Sequence, residues 1–193
     1  MNETLWAAPA SELLSRTASS DPTPGGGSIS ALTGAFGVGL MRMAVAITGD
    51  DSLDELDGRL RELQERIAAA VDADVADFEE LLAAFRLPRA DEEQQRERSA
   101  AIEAASVAAT ESPLALVEAL ADALELSHEL EPRVKPGVVS DVLAGRDLAA
   151  GSARAALRTA DLNLDQLDRL SSPRASGLRT RRDSLADRTE QAA

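Results

Sequence analysis

The chain has 193 residues, a length that suits one domain with a sizeable hydrophobic core. It has no cysteine, no tyrosine, one histidine and 2% aromatic residues, which excludes disulfides, cysteine-ligated zinc, a histidine-rich metal site and an aromatic platform for single-stranded nucleic acid. The formal net charge of −14 disfavours nucleic-acid backbones and anionic membrane surfaces as partners.

The charge balance also predicts a cellular environment. Asp and Glu number 34 against 20 Lys and Arg, and Lys135 is the only lysine. An acidic, lysine-poor surface is typical of proteins that work at high salt, where repulsion between carboxylates is screened. A genome that favours arginine codons is the alternative explanation. The first residues show no export signal, so we expect a salt-adapted, cytoplasmic protein.

The helical pattern begins near the N-terminus, and no segment shows the sustained alternation of a strand. Residues 11–20 predict a short helix that ends before Asp21. After the stretch DPTPGGGS (residues 21–28), apolar residues at spacings of three and four predict a second helix. Arg42 interrupts its apolar run, which favours a buried helix over a membrane span. Its expected core face comprises Ile29, Leu32, Phe36, Leu40 and Met43.

Glycines within this second helix predict close packing. Gly34, Gly37 and Gly39 each weaken a helix by up to about 1 kcal/mol relative to alanine. Their presence in one helix indicates that the backbone of a neighbouring helix approaches closely.

Two further helices are marked by their ends. Ser52 and Glu55 form a capping box that predicts the start of a long helix, and Pro88 predicts its end. The helix that follows is predicted to stop before Ser112, with Pro113 at the first position of another helix.

The remainder of the chain completes an all-α prediction. A long helix is expected over residues 140–170, and residues 171–193 predict a peripheral helix with a frayed end. About seven helices with short connections indicate a helical bundle over residues 1–193 as a single domain. The apolar stripes exceed what one short bundle covers, which predicts a two-fold homodimer.

The glycine-rich stretch opens directly onto an apolar helix, which is not typical of a linker. A nucleotide-binding P-loop would need a lysine at its end, and none is present. Consecutive backbone N–H groups at a helix N-terminus favour an anion. Two interpretations therefore stay open at this point: an anion-binding turn and a tight structural turn.

The stretch DPTPGGGSISALTGAFGVGLMRM resembles the signature of the cyclodeaminase/cyclohydrolase family of folate one-carbon enzymes. Two later stretches are similar to this family in the same order. DADVADFEELLAAFRLP matches with Asp74 and Phe78, and VVSDVLAG followed by DLNL matches with Ser140, Asp141 and Asn163. The resemblance therefore spans most of the chain.

Two departures from the family pattern affect the expected site. Asp77 stands where the family usually has alanine, which alters the charge of the expected pocket. Residues 136–138 (Pro-Gly-Val) replace a Gly-Asn pair, which removes an amide that would orient substrate.

The resemblance implies an enzyme that acts on the one-carbon bridge of a tetrahydrofolate derivative, without a permanently bound cofactor. Methenyltetrahydrofolate cyclohydrolase is the activity we expect, and formiminotetrahydrofolate cyclodeaminase is the alternative. The transferase module often fused to the deaminase is not part of this sequence, which favours the hydrolase. A non-catalytic helical interaction protein is a more remote alternative.

Both reactions need proton transfers and neither requires a metal or a covalent nucleophile, so a carboxylate with a raised pKa suits them. With the resemblance as a guide, Asp141 is the first candidate for this role, followed by Asp74 and Asp21. The candidate substrate-binding residues are Pro24, Gly25, Gly26, Gly27, Ser28, Ser140, Lys135 and Arg146. The last two are expected to meet glutamate carboxylates of folate, unless they are ordinary surface charges.

Overall fold

The computed structural model describes residues 4–193. This part of the chain contains six α-helices and no strand, which confirms the all-α prediction but gives one helix fewer than the seven expected. The helices are α1 (Ala10–Thr17), α2 (Gly26–Thr48), α3 (Asp54–Arg86), α4 (Glu92–Leu130), α5 (Val139–Arg169) and α6 (Ala175–Ala192).

The predicted break at Ser112–Pro113 is wrong, because α4 continues through a buried Pro113. A proline inside a helix has no N–H to donate to the carbonyl four residues earlier, which is that of Ala109. The side-chain Nδ2 of Asn163 on α5 donates to this carbonyl at 2.5 Å. A tertiary contact thus satisfies the acceptor that the local sequence leaves open.

The four long helices form a bundle in which α2 and α4 lie diagonally opposite each other. Both pack against α3 and α5, and they contact each other little. Helices α2 and α5 run antiparallel, with Gly26 beside Thr159 and Gly37 beside Gly145. A Cβ at Gly37 would lie 2.7 Å from the Gly145 oxygen. The close approach predicted from the glycines of α2 is confirmed here.

Helix α2 is apolar over most of its surface, with Arg42 as its one charged residue. By length and composition alone, α2 and the stretch Glu92–Arg133 are each apolar enough to cross a membrane. In the bundle, 56% and 50% of their most apolar windows are buried. The expected core face of α2 is only partly correct, because Leu32 is buried whereas Phe36 and Met43 are exposed.

The start of α3 differs in detail from the prediction. Asp50, rather than Ser52, caps this region by accepting a hydrogen bond from the Ser52 N–H. A short 3₁₀ turn over Asp51–Leu53 then leads into α3. The helix ends at Arg86, as Pro88 predicts.

The C-terminal segment is helical as far as Ala192 rather than frayed. Helix α6 packs on the outside of α4 and α5 through Leu178 and Leu185. Its arginines form ion pairs with acidic residues of those two helices: Arg181 with Glu118, Arg182 with Asp161, Arg188 with Asp122 and Glu125, and Arg179 with Asp165 and Asp168. This segment is therefore fixed to the bundle by apolar contact and by charge.

Candidate functional site

A groove lies at the end of the bundle where α2 begins. Gly27 is beside Asp74 of α3, and Gly26 is beside Thr159 of α5. From this level α3 runs on for 12 residues to Arg86, about 18 Å at 1.5 Å per residue. The space that α2 would fill beyond its first residue is therefore left open between α3 and α5.

The groove has a volume of about 470 Å³, within the usual range for a small-molecule pocket. Its end wall is the turn before α2, its side walls are α3 and α5, and α4 contributes to its floor. The lining residues are Pro22, Thr23, Gly25, Gly26, Gly27, Asp74, Asp77, Phe78, Leu81, Ala109, Ala155, Arg158, Thr159, Leu162 and Asn163.

The glycine-rich turn brings backbone against a carboxylate. Asp74 Oδ2 accepts hydrogen bonds from the Ser28 N–H at 2.9 Å and from the Ser28 hydroxyl at 2.6 Å. A Cβ at Gly27 would overlap the Asp74 carboxylate, so glycine at this position lets the carboxylate lie against the turn. The turn thus has a structural role, because it fixes Asp74 in the wall of the groove.

The same turn leaves backbone donors at the groove. Gly25 is the N-cap of α2 and provides no side-chain cap. The Ser28 N–H is bound by Asp74, which leaves the N–H groups of Gly26 and Gly27 at the end of the groove with the helix dipole behind them. Gly25, Gly26 and Gly27 all line the groove. Pro24 follows a cis peptide bond and is buried behind this lining.

Asp77 lies one turn after Asp74 on the same face of α3, and it is half-buried in the groove wall. Burial raises the pKa of Asp77, a hydrogen bond from the Ser112 side chain lowers it, and the charges of Asp74 and Glu80 raise it again. The net effect is a pKa above the ordinary range of aspartate. The residue noted as a departure from the family pattern thus carries the perturbed carboxyl group of the groove.

The opposite wall supplies a cation and apolar surface. Arg158 of α5 lines the groove and has no ion-pair partner within residues 4–193. Leu162 of α5, 72% exposed, faces the groove across from Phe78 and Leu81 of α3. A flat organic ligand with one cationic or hydrogen-bonding end and one anionic end matches this distribution.

Three other predicted site residues, Ser140, Asp141 and Lys135, lie at the opposite end of the bundle. Asp141 and Ser140 begin α5, and Asp141 precedes Thr159 by 18 residues, about 27 Å along the helix. Lys135 donates from Nζ to the Ile47 carbonyl at 3.0 Å. These residues are therefore not brought to the groove within one chain.

Arg146 and Asp21 also differ in position from the groove residues. Arg146 is 11% exposed and donates to the Ser127 hydroxyl at 2.8 Å and to Glu131 at 2.6 Å. Asp21 is exposed at the start of the turn whose next residues line the groove. Of the three predicted catalytic carboxylates, the structure brings Asp74 into the groove wall.

Sequence reasoning placed Asp77 in the expected pocket but did not include it among the candidate site residues, and it missed Arg158. The spacing of Asp77 three residues after Asp74 places both on one helix face. Arg158 and Leu162, four residues apart, fall on one face of α5 for the same reason. These spacings were readable in the sequence, but they do not say which helix faces which.

No group of three or more His, Asp or Glu side chains within residues 4–193 is arranged to hold a metal ion. The polar side chains that line the groove are two carboxylates, one guanidinium, one amide and two threonine hydroxyls, and backbone N–H groups lie at its end. Such groups can bind a charged organic molecule and move protons.

Fold and groove together define an all-helical protein with a pocket of ligand size. A model of the formiminotransferase-cyclodeaminase family matches residues 9–172, and the chain belongs to this family. A methenyltetrahydrofolate cyclohydrolase from Methylorubrum extorquens is 33% identical over 155 residues, which are 76% of this chain and 73% of that protein.

Two further comparisons agree with the family. A formimidoyltransferase-cyclodeaminase from Sus scrofa is 34% identical over 115 residues, which are 55% of this chain and only 21% of that protein. The crystal structure of a formiminotetrahydrofolate cyclodeaminase from Thermotoga maritima matches with a TM-score of 0.72 at 16% identity, covering 97% of this chain and 96% of that chain. At this identity the match shows a shared fold.

Proposed function

We propose that this chain is a methenyltetrahydrofolate cyclohydrolase, which converts methenyltetrahydrofolate and water to formyltetrahydrofolate. The observation that carries the proposal is the groove of about 470 Å³ with Asp74 and Asp77 in one wall. The similarity to the Methylorubrum extorquens cyclohydrolase over about three quarters of both chains supports the same activity.

The charge of the substrate suits this groove. The methenyl bridge of the substrate joins two nitrogens and carries a positive charge delocalised over them. The carboxylate of Asp74, held in place by Ser28, lies in the wall where it can attract this cationic bridge. The unpaired Arg158 on the opposite wall suits the glutamate carboxylate at the other end of the molecule.

The second candidate is formiminotetrahydrofolate cyclodeaminase. The similarity to the Sus scrofa formimidoyltransferase-cyclodeaminase, 34% identical over 115 residues, favours it. Its reaction forms the methenyl bridge by attack of a folate nitrogen on a formimino carbon, with loss of ammonia. The same groove and the same carboxylates suit this reaction, because the carbon at which bonds change is the same.

The near-ultraviolet absorbance of methenyltetrahydrofolate tests both candidates. We expect the purified protein in concentrated potassium chloride to accelerate the loss of this absorbance above the buffer rate, and Asp74→Asn to remove most of the acceleration. Appearance of the absorbance with ammonia release from formiminotetrahydrofolate would instead establish the cyclodeaminase. A folded protein that is silent in both assays would favour a non-catalytic interaction protein.

We further propose that two copies of the chain associate through the outer face of α2 and α5. Phe36 is 62% exposed although it contacts Trp6, and Met43 and Ile47 continue its stripe along α2. Exposed leucines of α5, Leu143 and Leu148, extend the apolar surface. Contiguous exposed apolar surface of this kind is typical of interaction sites.

Charge favours an antiparallel arrangement of the two α2 helices. The acidic residues Asp50, Asp51 and Asp54 lie just beyond the end of α2, and Arg154 lies level with its first half without an ion-pair partner in residues 4–193. An antiparallel pair brings opposite charges together, whereas a parallel pair brings the two acidic turns face to face.

Light scattering coupled to size exclusion tests this association. We expect a dimer for the wild-type chain and a monomer for Phe36→Glu, with the matched variant Leu14→Glu, at an exposed leucine of α1, remaining dimeric. A wild-type monomer that floats with lipid vesicles would show that the apolar face binds a membrane. A monomer without lipid binding would contradict the association altogether.

The acidic surface supports one more proposal, that the protein works in a salt-rich cytoplasm. Its formal net charge is −14, and salt screens the repulsion between like charges. We expect the unfolding temperature to rise between about 0.1 M and about 2 M potassium chloride. A flat or falling curve would favour genome composition as the reason for the scarcity of lysine.

A further inference from the structure

We propose that Asp77 is a catalytic residue of the groove, and that its carboxyl group accepts the proton of the attacking water and returns a proton to the departing folate nitrogen. This inference rests on the proposed cyclohydrolase function. Asp77 lines the groove one helical turn from Asp74, on the face of α3 that is turned toward α5.

The hydrogen bonds of the two carboxylates assign them different roles. Asp74 Oδ2 accepts two hydrogen bonds from Ser28, which fix the carboxylate against the glycine-rich turn. Asp77 has one side-chain partner, Ser112 of α4. Asp77 therefore keeps oxygen lone pairs for a ligand, whereas Asp74 serves as a fixed negative charge.

The surroundings of Asp77 adapt it to proton transfer. The charged groups around it are Asp74 and Glu80 on its own helix and Arg158 across the groove, while α4 contributes the hydroxyl of Ser112. Burial and the two neighbouring carboxylates together outweigh the Ser112 hydrogen bond, so the pKa of Asp77 is raised. A carboxyl group with a raised pKa exchanges protons closer to neutral pH.

The chemical steps balance with Asp77 in this role. Water forms a C–O bond to the methenyl carbon while one of its O–H bonds breaks, and the proton passes to the Asp77 carboxylate. The C–N bond then breaks, its electron pair stays on nitrogen, and nitrogen takes the proton from Asp77. The hydroxyl proton of the adduct leaves to solvent as the formyl C=O forms. One proton is released per turnover, as the loss of the substrate's positive charge requires.

The test compares three variants by the pH profile of kcat/KM after subtraction of the buffer rate. Asp77→Asn keeps the size of the side chain but cannot take the proton, so we expect kcat to fall by about 10²-fold or more, with KM changed by less than about threefold. The acidic limb of the profile, where Asp77 becomes protonated, should disappear in this variant.

The other two variants shift that limb in opposite directions. Ser112→Ala removes the hydrogen bond that lowers the pKa of Asp77, so the acidic limb should move to higher pH with kcat largely retained. Glu80→Gln removes a charge that raises this pKa, so the limb should move to lower pH. A purely structural Asp77 would give neither shift, which keeps the proposal testable even if Asp77→Asn folds poorly.

The outcomes separate this inference from the proposed function. An active wild type whose kcat and profile survive Asp77→Asn would overturn the role of Asp77 and leave the cyclohydrolase proposal intact. A wild type that is inactive on methenyltetrahydrofolate would overturn both. Loss of activity in Asp77→Asn with the two opposite limb shifts would establish the inference.

Discussion

The two ends of the α2–α5 pair differ in the hydrogen bonds and ion pairs that their polar side chains form. At the end where α5 begins, Lys135 donates to the Ile47 carbonyl and Arg146 donates to Ser127 and Glu131. At the end where α2 begins, Asp77 has one side-chain partner and Arg158 has no ion-pair partner within residues 4–193. The family resemblance supplies residues at both ends, but the basic groups Lys135 and Arg146 at the first end are bound within the chain, whereas Asp77 and Arg158 at the second end line a groove.

This contrast shows that the matched segments lie in different parts of the fold. The segment around Ser140 and Asp141 starts a long helix, and the basic residues near it close the bundle by hydrogen bonds. The segment around Gly27 and Asp74 builds a wall of the groove. Variants at the two ends and between them test this division.

The largest effect is expected at Gly27. In Gly27→Ala the new methyl group overlaps the Asp74 carboxylate and displaces it from the groove wall. A displacement of about 1 Å in a catalytic site can lower kcat/KM by about 10²-fold. The matched control is Gly26→Ala, whose Cβ would lie 3.9 Å from Thr159 Oγ1 and should leave most of the activity. Equal activity of the two variants would contradict the role of Asp74.

Gly37 tests the packing between the two ends. A methyl group there would meet the Gly145 carbonyl oxygen at 2.7 Å, so Gly37→Ala should lower the free energy of unfolding by about 1–3 kcal/mol. Urea denaturation measures this change. At Gly58 of α3 no atom lies within 4 Å of an added Cβ, so Gly58→Ala should instead stabilise the protein by up to about 1 kcal/mol.

The contact between Asn163 and α4 is expected to depend on Pro113. Asn163→Ala leaves the Ala109 carbonyl without its donor and should cost about 1–3 kcal/mol of unfolding free energy. Pro113→Ala restores a backbone N–H that can donate to the same carbonyl, so Asn163→Ala should cost less in that background. A double-mutant cycle measures the coupling, and strict additivity of the two changes would refute it.

Asp77 should also leave a signature in the pH dependence of stability. Because its folded pKa is raised, the folded state holds its proton more tightly than the unfolded state, and this contribution is lost as pH rises through the folded pKa. Between the pKa of Asp77 in the unfolded state and its higher pKa in the folded state, the free energy of unfolding of Asp77→Asn should therefore increase relative to that of the wild type as pH rises. Below the unfolded-state pKa the difference between the two proteins should change little. Urea unfolding at a series of pH values measures the difference, and a constant difference would argue against a raised pKa.

The smallest effect is expected at Asp141, which the sequence ranked first. Asp141→Asn changes a residue about 27 Å along α5 from the level of the groove, so kcat/KM should change by less than about threefold. A sharp loss of turnover with an intact fold would restore Asp141 as a site residue and would indicate that a second copy of the chain brings it to the groove.

The fold was predictable because the periodicity of apolar residues identifies long helices without reference to their neighbours. The errors arose where tertiary contacts override local signals. Pro113 stops a helix by its local chemistry, but Asn163 from another helix satisfies the carbonyl that it leaves open. Phe36 and Met43 fit a core stripe, but α2 is apolar over most of its surface, so spacing cannot tell which face is buried.

Part of the candidate site was also predictable from the sequence, namely the residues that belong to one motif. Asp74 and the glycines follow from a motif whose residues are close in space, since Gly27 packs directly on Asp74. Arg158 lies in no such motif, and its proximity to Asp77 depends on how α3 and α5 lie across the groove. A single sequence contains the residues of each wall but not the distance between the walls.

The groove owes its existence to unequal helix lengths. Helices α3 and α5 continue past the first residue of α2, and α4 lies beneath the gap. The length of the groove therefore depends on where α3 and α5 end relative to the start of α2. It can change in increments of one helical turn, about 5.4 Å. Insertions of three or four residues near the end of α3 or α5 would lengthen the walls for a longer ligand while the carboxylates stay in place. A binding site of this kind can therefore accept ligands of different length at its open end while its carboxylates keep their positions.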